Sequence, residues 1–406
     1  MSDLLLSHFE SLEDPRIDRS KRHTLLDIIG ITVCGVICGA DNWVDIEAYG
    51  NAKYDFLQQF LELPNGIPSH DTFGDVFARL DPEAFQRCFR EWVETLVEVS
   101  AGQVVAIDGK ALRGSSDGVL GKRAIHMVSA WASGNGLVLG QVKVDDKSNE
   151  ITAIPALLEM LAVSGCTVTI DAMGCQTEIA TQIRRQEADY VLSLKQNQGR
   201  LYEDVRDLFE HVLAVAQTPY ALAHARTVEK DHGRIEIREC WTLTDSEGFP
   251  ALRTTHDWTD LHTLVMVRRE RRVNGQTSHE TAFFIASAVA SADHFLACTR
   301  LHWSIENSLH WILDVAFHED ASRVRKDFAL QNLALMRHLG PQCPQSRNIL
   351  QSQRSHQTSQ SWLERCLSAQ TPFYLRRDCP ITVRREILKT RSIPRKLKRS
   401  RTARST

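Results

Sequence analysis

Two apolar runs stand out along the chain, Val104-Val105-Ala106-Ile107 and Val168-Thr169-Ile170, and each stops at an aspartate, Asp108 or Asp171. Runs rich in β-branched residues predict buried strands, so each aspartate is expected at a strand end, delivered to the edge of a sheet. Upstream, residues 1 to about 100 follow a helical pattern. Leu25 to Ala40 predicts one apolar helix and Trp43 to Leu63 a second, more amphipathic one, ended by Pro64-Asn65-Gly66. Ser69 or Asp71 can cap a third. Asp81-Pro82-Glu83 opens a fourth that runs to about Val99, because proline is tolerated at the first helical position.

From Gln103 the pattern changes to short strands. Val104 to Asp108 is followed by His126 to Trp131, a Ser133-Gly134-Asn135-Gly136 hairpin turn and Leu137 to Val144. Ile151 to Val163 then predicts a helix, Thr167 to Asp171 a strand, Thr177 to Gln186 a helix and Tyr190 to Lys195 a strand. The order βββαβαβ, with a later helix carrying Glu306, predicts an α/β fold of the ribonuclease H-like kind, a mixed sheet flanked by helices. A helix near Leu201 to Ala214 and strand-like runs at Arg234 to Thr242, Leu261 to Arg268 and His279 to Ile285 interrupt that core, and helical signal resumes at Ser291. The division expected is therefore a helical N-terminal domain (1–100), a first part of the core (101–198), a β-rich insertion (199–285), a helical end of the core carrying the third acid (286–339) and a basic tail (340–406).

Composition narrows this little, since 43% hydrophobic and 24% charged residues are ordinary for a globular protein. The apolar stretch from Leu25 to Ala40 contains Asp27 and falls short of the roughly 20 residues a membrane span needs. Met1-Ser2-Asp3-Leu4 has no basic leader region, which predicts a cytoplasmic location and no membrane partner. Ten cysteines without a Cys-x-x-Cys pair predict free buried thiols. Charge is uneven: from Arg376 to Thr406 twelve Lys and Arg face only Asp378 and Glu386, so a total of −3 conceals a body near −13. Such a tail suits a nucleic-acid contact or a solvated extension.

Three acids converging from two strands and a helix can hold hard divalent cations, and two such ions about 3.5 to 4 Å apart supply what phosphodiester cleavage needs. Asp108, Asp171 and Glu306 are the candidates. Lys110, Arg113, Lys195 and Arg300 lie near them in sequence and could hold phosphates, which positions DNA without reading its sequence. Lys230, His232, Arg234, Glu236 and Arg238 alternate along a predicted strand and give it one charged face, a DNA-contact candidate with His232 and Arg234 at its centre. Trp303 and His310, one turn either side of Glu306, are expected to bury beside the sheet.

The segments VVAIDGKALRGS, TIDAMGCQ, YVLSLKQNQ, DHGRIEIRE and LHWSIENSLHWILDVAFHEDASR resemble the H-repeat-associated group of insertion-sequence DDE transposases. LEDPRIDRSKRHTLLDII and IPSHDTFGDVFARLDPEAF resemble that group's N-terminal domain. The resemblance runs from about residue 4 to residue 339. It implies a catalytic and metal-binding triad of Asp108, Asp171 and Glu306, and two Mg²⁺ ions for which Mn²⁺ can substitute. The implied partners are the double-stranded DNA of the element's terminal inverted repeats and its target, with a homo-oligomer assembled on that DNA. Where the wider class carries Tyr, Arg and Lys around the glutamate, this chain has Thr299, His302 and Leu313, with Arg300 nearby. After Leu339 the expected Leu-rich ending is replaced by Gly340-Pro341-Gln342-Cys343-Pro344-Gln345. One reverse translation of that stretch, read one base later, gives an Ala-Leu-Asn-Val-Leu string and, near Trp362, Gly-Trp-Ser-Asp-Ala, which suggests a frameshift near codon 340. The alternatives are a catalytically silent DNA-binding regulator of the same element and a nuclease without strand transfer.

Overall fold

Thr24 accepts a hydrogen bond from the Asp27 amide and so starts α1 (Leu25–Ile37), which ends at Cys38 before the left-handed Gly39. The computed structural model describes residues 5–96, 101–116, 123–145, 148–215, 218–231, 233–245, 249–250 and 252–342. His232 and residues 343–406, with the basic tail and the altered ending, lie outside them. Asn42 caps α2 (Trp43–Ala52), and a short α3 (Tyr54–Leu57) follows where the pattern predicts one longer helix. The buried Asp27 carboxylate accepts from the Glu62 and Leu63 amides at 3.0 and 3.1 Å, and Leu63 is left-handed. That tertiary contact turns the chain toward α1, which helical periodicity cannot foresee. Ser69 caps α4 (His70–Arg79), and α5 (Pro82–Leu96) carries its proline at the first position. Trp43, Phe77, Phe85 and Phe9 form a chain of ring contacts inside this helical layer.

The strands are β1 (Val104–Leu112), β2 (Ile125–Ala132), β3 (Leu137–Lys143), β4 (Thr167–Ile170) and β5 (Asp189–Leu194), joined by α6 (Glu150–Glu159) and α7 (Thr177–Arg185). β1, β2 and β3 pair antiparallel, while β1, β4 and β5 pair parallel. The order β3-β2-β1-β4-β5 in these directions is the ribonuclease H-like arrangement. After α8 (Gly199–Ala214) come β6 (Ala221–Asp231), β7 (Arg234–Thr244), β8 (Thr263–Val273) and β9 (Gln276–Ala286). These do not form a separate unit. β9 pairs antiparallel with β5, from Val191↔Ala286 to Leu194↔Phe283, and the sheet grows to nine strands in the order β3-β2-β1-β4-β5-β9-β8-β7-β6.

Two strands depart from expectation. β6 escapes the sequence pattern because it is an edge strand, mostly exposed, and lacks apolar alternation. β1 continues to Leu112, since antiparallel pairing with β2 persists through Leu112↔Ile125 after parallel pairing with β4 stops at Ile107↔Ile170. Asp108 therefore sits inside a strand, at the point where the parallel ladder ends, rather than at the strand's terminus.

α9 (Ala292–His302) lies against β1, β4 and β5 and crosses to β6 and β7; α10 (Trp311–Val315) and α11 (Ala329–Gln342) follow it. α11 packs against α1, α4, α5 and β3, and Asn332 donates to the Phe77 and Leu80 carbonyls at 2.9 Å each. One hydrophobic core consequently runs from the N-terminal helices into the sheet. The seven cysteines among the described residues are free. No helix among the described residues is long and apolar enough to cross a membrane.

Candidate metal centre and nucleic-acid surface

Asp108 and Lys110 point to the same face of β1, because strand side chains alternate. Gly109 between them faces the other way, and a Cβ there would meet the Glu150 carboxylate at 2.1 Å, so a larger residue would displace that side chain. Asp108 is mostly buried. Burial first, then the neighbouring Glu306 carboxyl and the Asp171 charge, push it up to about 8. Among the described residues no Lys or Arg pairs with Asp108 or Glu306. Crowded carboxylates without a cationic side chain are what a divalent ion would satisfy.

Glu306 reaches this point from a π-helical segment, Ile305–His310, between α9 and α10. Such wide turns are rare and short, and they recur at functional sites. Its entry is pinned from β2: the Trp131 indole N–H donates to Ser304 Oγ at 3.1 Å, and Ser133 Oγ donates to the Leu301 carbonyl at 3.1 Å. His302 at the end of α9 meets Thr169 Oγ1 at 3.1 Å, and burial lowers its pKa. Asp108, Glu306 and His310 each offer a ligand atom, all within 4.8 Å of one another. The adjacent His310 ring first, then the Asp108 carboxyl, holds Glu306 below the usual carboxylate range.

Asp171 follows the last residue of β4, one position past the pair Ile107↔Ile170, and so stands beside Asp108. Its Oδ1 accepts from the Met173 amide at 3.0 Å and the Gly174 amide at 3.4 Å, which holds the carboxylate at the turn. It is near enough to raise Asp108 but is not among the three residues whose ligand atoms cluster within 4.8 Å. Sequence reasoning passes over Glu150, a mostly buried acid at the start of α6 whose pKa is raised by burial and then by Asp171. Its only signal is the Asn149 cap before it.

The expected cations fall into different places. Lys110 is nearly buried, with Nζ at 2.6 Å from Asp314, 3.1 Å from Glu319 and 3.4 Å from Asp320. Burial opposes its charge, yet Glu319 and Asp314 outweigh it and raise the ammonium above its usual range. Lys110 therefore clamps β1 to the segment that follows Glu306. Gly114 helps, since a Cβ there would meet the Asp320 and Ser322 carbonyl oxygens at 2.6 Å. Arg113 is exposed, with Nε 3.5 Å from Asp320. Lys195 is exposed just past β5, at the same sheet edge as Asp171. Arg300 is exposed on α9 and pairs with Glu229 of β6. Arg234 on β7 lies 4.0 Å from Glu236.

The outer halves of β6 to β9 form a densely charged arm in which arginines and acids face one another. Arg238 on β7 stands directly opposite Arg269 on β8, and Glu239 opposite Arg268. Like charges facing each other across strands cost stability. Here they are relieved by acids on either side, Arg238 pairing with Glu236 and lying 3.2 Å from Glu229, and Arg269 lying 3.4 Å from Glu280. Arg269 also lies 5.3 Å from the Trp303 ring centre, on the face occupied by α9. Trp303 is 49% exposed and so does not bury beside the sheet as expected, whereas His310 does, at 5%.

These residues build a ribonuclease H-like sheet with carboxylates gathered where its parallel ladder ends. The family described as "Transposase DDE domain" matches residues 100–339, and "DDE_Tnp_1-associated" matches residues 6–93. The chain is 40% identical over 330 residues to "Putative transposase YncI" of Escherichia coli O157:H7, covering 80% of this chain and 83% of that one. It is 38% identical over 342 residues to "H repeat-associated putative transposase YhhI" of Escherichia coli strain K12, covering 82% and 88%. The chain belongs to the DDE transposase family, in its H-repeat-associated group.

Proposed function

We propose that this protein is a metal-dependent DNA transposase of an insertion sequence, with Asp108, Asp171 and Glu306 as the catalytic acids. The observation that carries this reading is the convergence of Asp108 and Glu306, from a strand and a π-helical turn, with His310 beside them and no Lys or Arg partner among the described residues. Their oxygens, with Asp171 beside them, fit two Mg²⁺ ions, hard cations that prefer carboxylates. When bound, such ions activate the attacking oxygen and stabilise the leaving one. The chain's own part is to hold the acids in register. β1 and β4 set the two aspartates side by side, Trp131 and Ser304 pin the approach to Glu306, and Lys110 ties the following segment to β1.

Double-stranded DNA, the element's ends and then its target, would lie across the face of α9. Arg113, Lys195, Arg300 and the arm residues Arg234, Arg238 and Arg269 supply phosphate contacts there, and the protein would act in the cytoplasm as a homo-oligomer holding two ends. Lys110, already engaged by three carboxylates, serves better as a clamp than as a DNA contact. Incubating the full chain with DNA bearing the element's own ends tests the reading. Mg²⁺-dependent strand cleavage that Asp108→Asn abolishes is expected; DNA retarded in a gel but never nicked would sink the catalytic reading.

A further inference from the structure

The site holds a buried imidazole that a three-carboxylate centre does not use. His310 lies on the same π-helical segment as Glu306, and its Nδ1 is 3.5 Å from Asp108 Oδ2 and 3.6 Å from Glu306 Oε2. Both distances are too long for good hydrogen bonds. They are, however, the spacing of donors arranged around a common centre, since the three ligand atoms fall within 4.8 Å of one another. The ring is nine-tenths buried, and its Nε2 has no hydrogen-bond partner. Its acid-facing edge is thus where the ring can be satisfied. Residues four apart share a helix face, so Glu306 and His310 approach Asp108 together.

We propose that His310 Nδ1 is a direct ligand of the cation held between Asp108 and Glu306. That subsite is then two carboxylates and one imidazole, while the Asp108–Asp171 side offers oxygens alone. The proposal rests on the metal-centre reading above. Imidazole suits borderline transition ions, whereas Mg²⁺ favours oxygen, so this subsite prefers Mn²⁺ to Mg²⁺.

Pulsed electron paramagnetic resonance of Mn²⁺ bound to the full chain, without DNA, reads a coordinated nitrogen directly. Nitrogen modulation is expected in the unmodified protein and in His302→Gln, whose ring is engaged by Thr169, and is expected to vanish in His310→Gln. Titration in the same samples is expected to show Mn²⁺ affinity falling at least about tenfold in His310→Gln, with a smaller change for competing Mg²⁺. Bound Mn²⁺ without nitrogen modulation in the unmodified protein overturns the ligation and leaves the carboxylate centre standing. Failure of the unmodified protein to bind Mn²⁺ at all overturns the metal centre as well. Modulation lost in His302→Gln and kept in His310→Gln assigns the nitrogen to the other ring and equally overturns the proposal. Should His310→Gln not fold, the unmodified protein and His302→Gln still decide it.

Discussion

Two acidic clusters flank β1 two residues apart on one face, and the chain treats them in opposite ways. Around Lys110, the carboxylates of Asp314, Glu319 and Asp320 close on a built-in ammonium. Around Asp108, Glu306 and Asp171 crowd without one, and Asp108 rises to about 8. Where the acids are structural the chain supplies its own cation; where it withholds a Lys or Arg, Asp108 keeps a proton instead, and a cation from solution would compete for the same oxygens. The contrast separates clamp from centre more sharply than the spacing of acids in the sequence does.

The largest effect that would sharpen this contrast is on catalysis. Glu306→Gln is expected to lower Mg²⁺-dependent cleavage by about a thousandfold, the several kcal/mol of transition-state stabilisation that metal ions supply. Circular dichroism of the same variant is expected to be unchanged. If cleavage survives, Glu306 is not in the centre.

Next comes stability. Lys110→Met leaves the buried Glu319 facing the partly exposed Asp314 and Asp320 without a cation and is expected to cost about 3 kcal/mol in urea unfolding, as breaking a buried pair does. Asp108→Asn in metal-free buffer is expected to leave stability equal or higher, because it replaces a buried carboxyl, whose ionisation burial and the neighbouring acids oppose, with a side chain that stays neutral. Equal losses in both variants would erase the distinction between the clusters.

The pH response follows from Asp108. Its carboxyl sits above the ordinary value of 3.8, so the folded state holds a proton that the unfolded chain has lost. That contribution to stability is complete below about 3.8 and disappears as pH rises through about 8. A cation competes for the same oxygens, so its affinity is expected to fall by up to about tenfold per unit as pH drops below that value. Calorimetric titration of Mg²⁺ at several pH values checks this, and a flat profile would place the ion elsewhere.

The smallest effect concerns the arm. Arg269→Ala is expected to weaken DNA binding uniformly across sequences and to make its salt dependence shallower by about one unit of slope, while Mg²⁺ affinity stays unchanged. An unaltered slope would mean that Arg269 serves Trp303 and Glu280 rather than phosphate.

Much of the inner sheet is legible in the amino-acid pattern. β2, β3, β5, α6 and α7 lie close to where periodicity sets them, because each buries a continuous apolar face and local pattern reports burial. Asp108 and Asp171 are legible because the buried runs before them are parallel neighbours, while Glu306 needs the family resemblance to distinguish it from Asp314 and Glu319. The outer sheet is less legible. β6 has one neighbour and an exposed edge, so its residues carry little hydrophobic signal.

By itself, then, the sequence determined the fold class, the family and the three candidate acids, since these depend on patterns local to each element. Tertiary structure alone decided the pairing of β9 with β5, which absorbs the insertion into one sheet. It also turned Lys110 from a phosphate contact into a clamp, brought His310 against Asp108 and left Trp303 in solvent. Each of those outcomes depends on residues far apart in the chain, and a side chain's charge has no fixed role until its partners are in place.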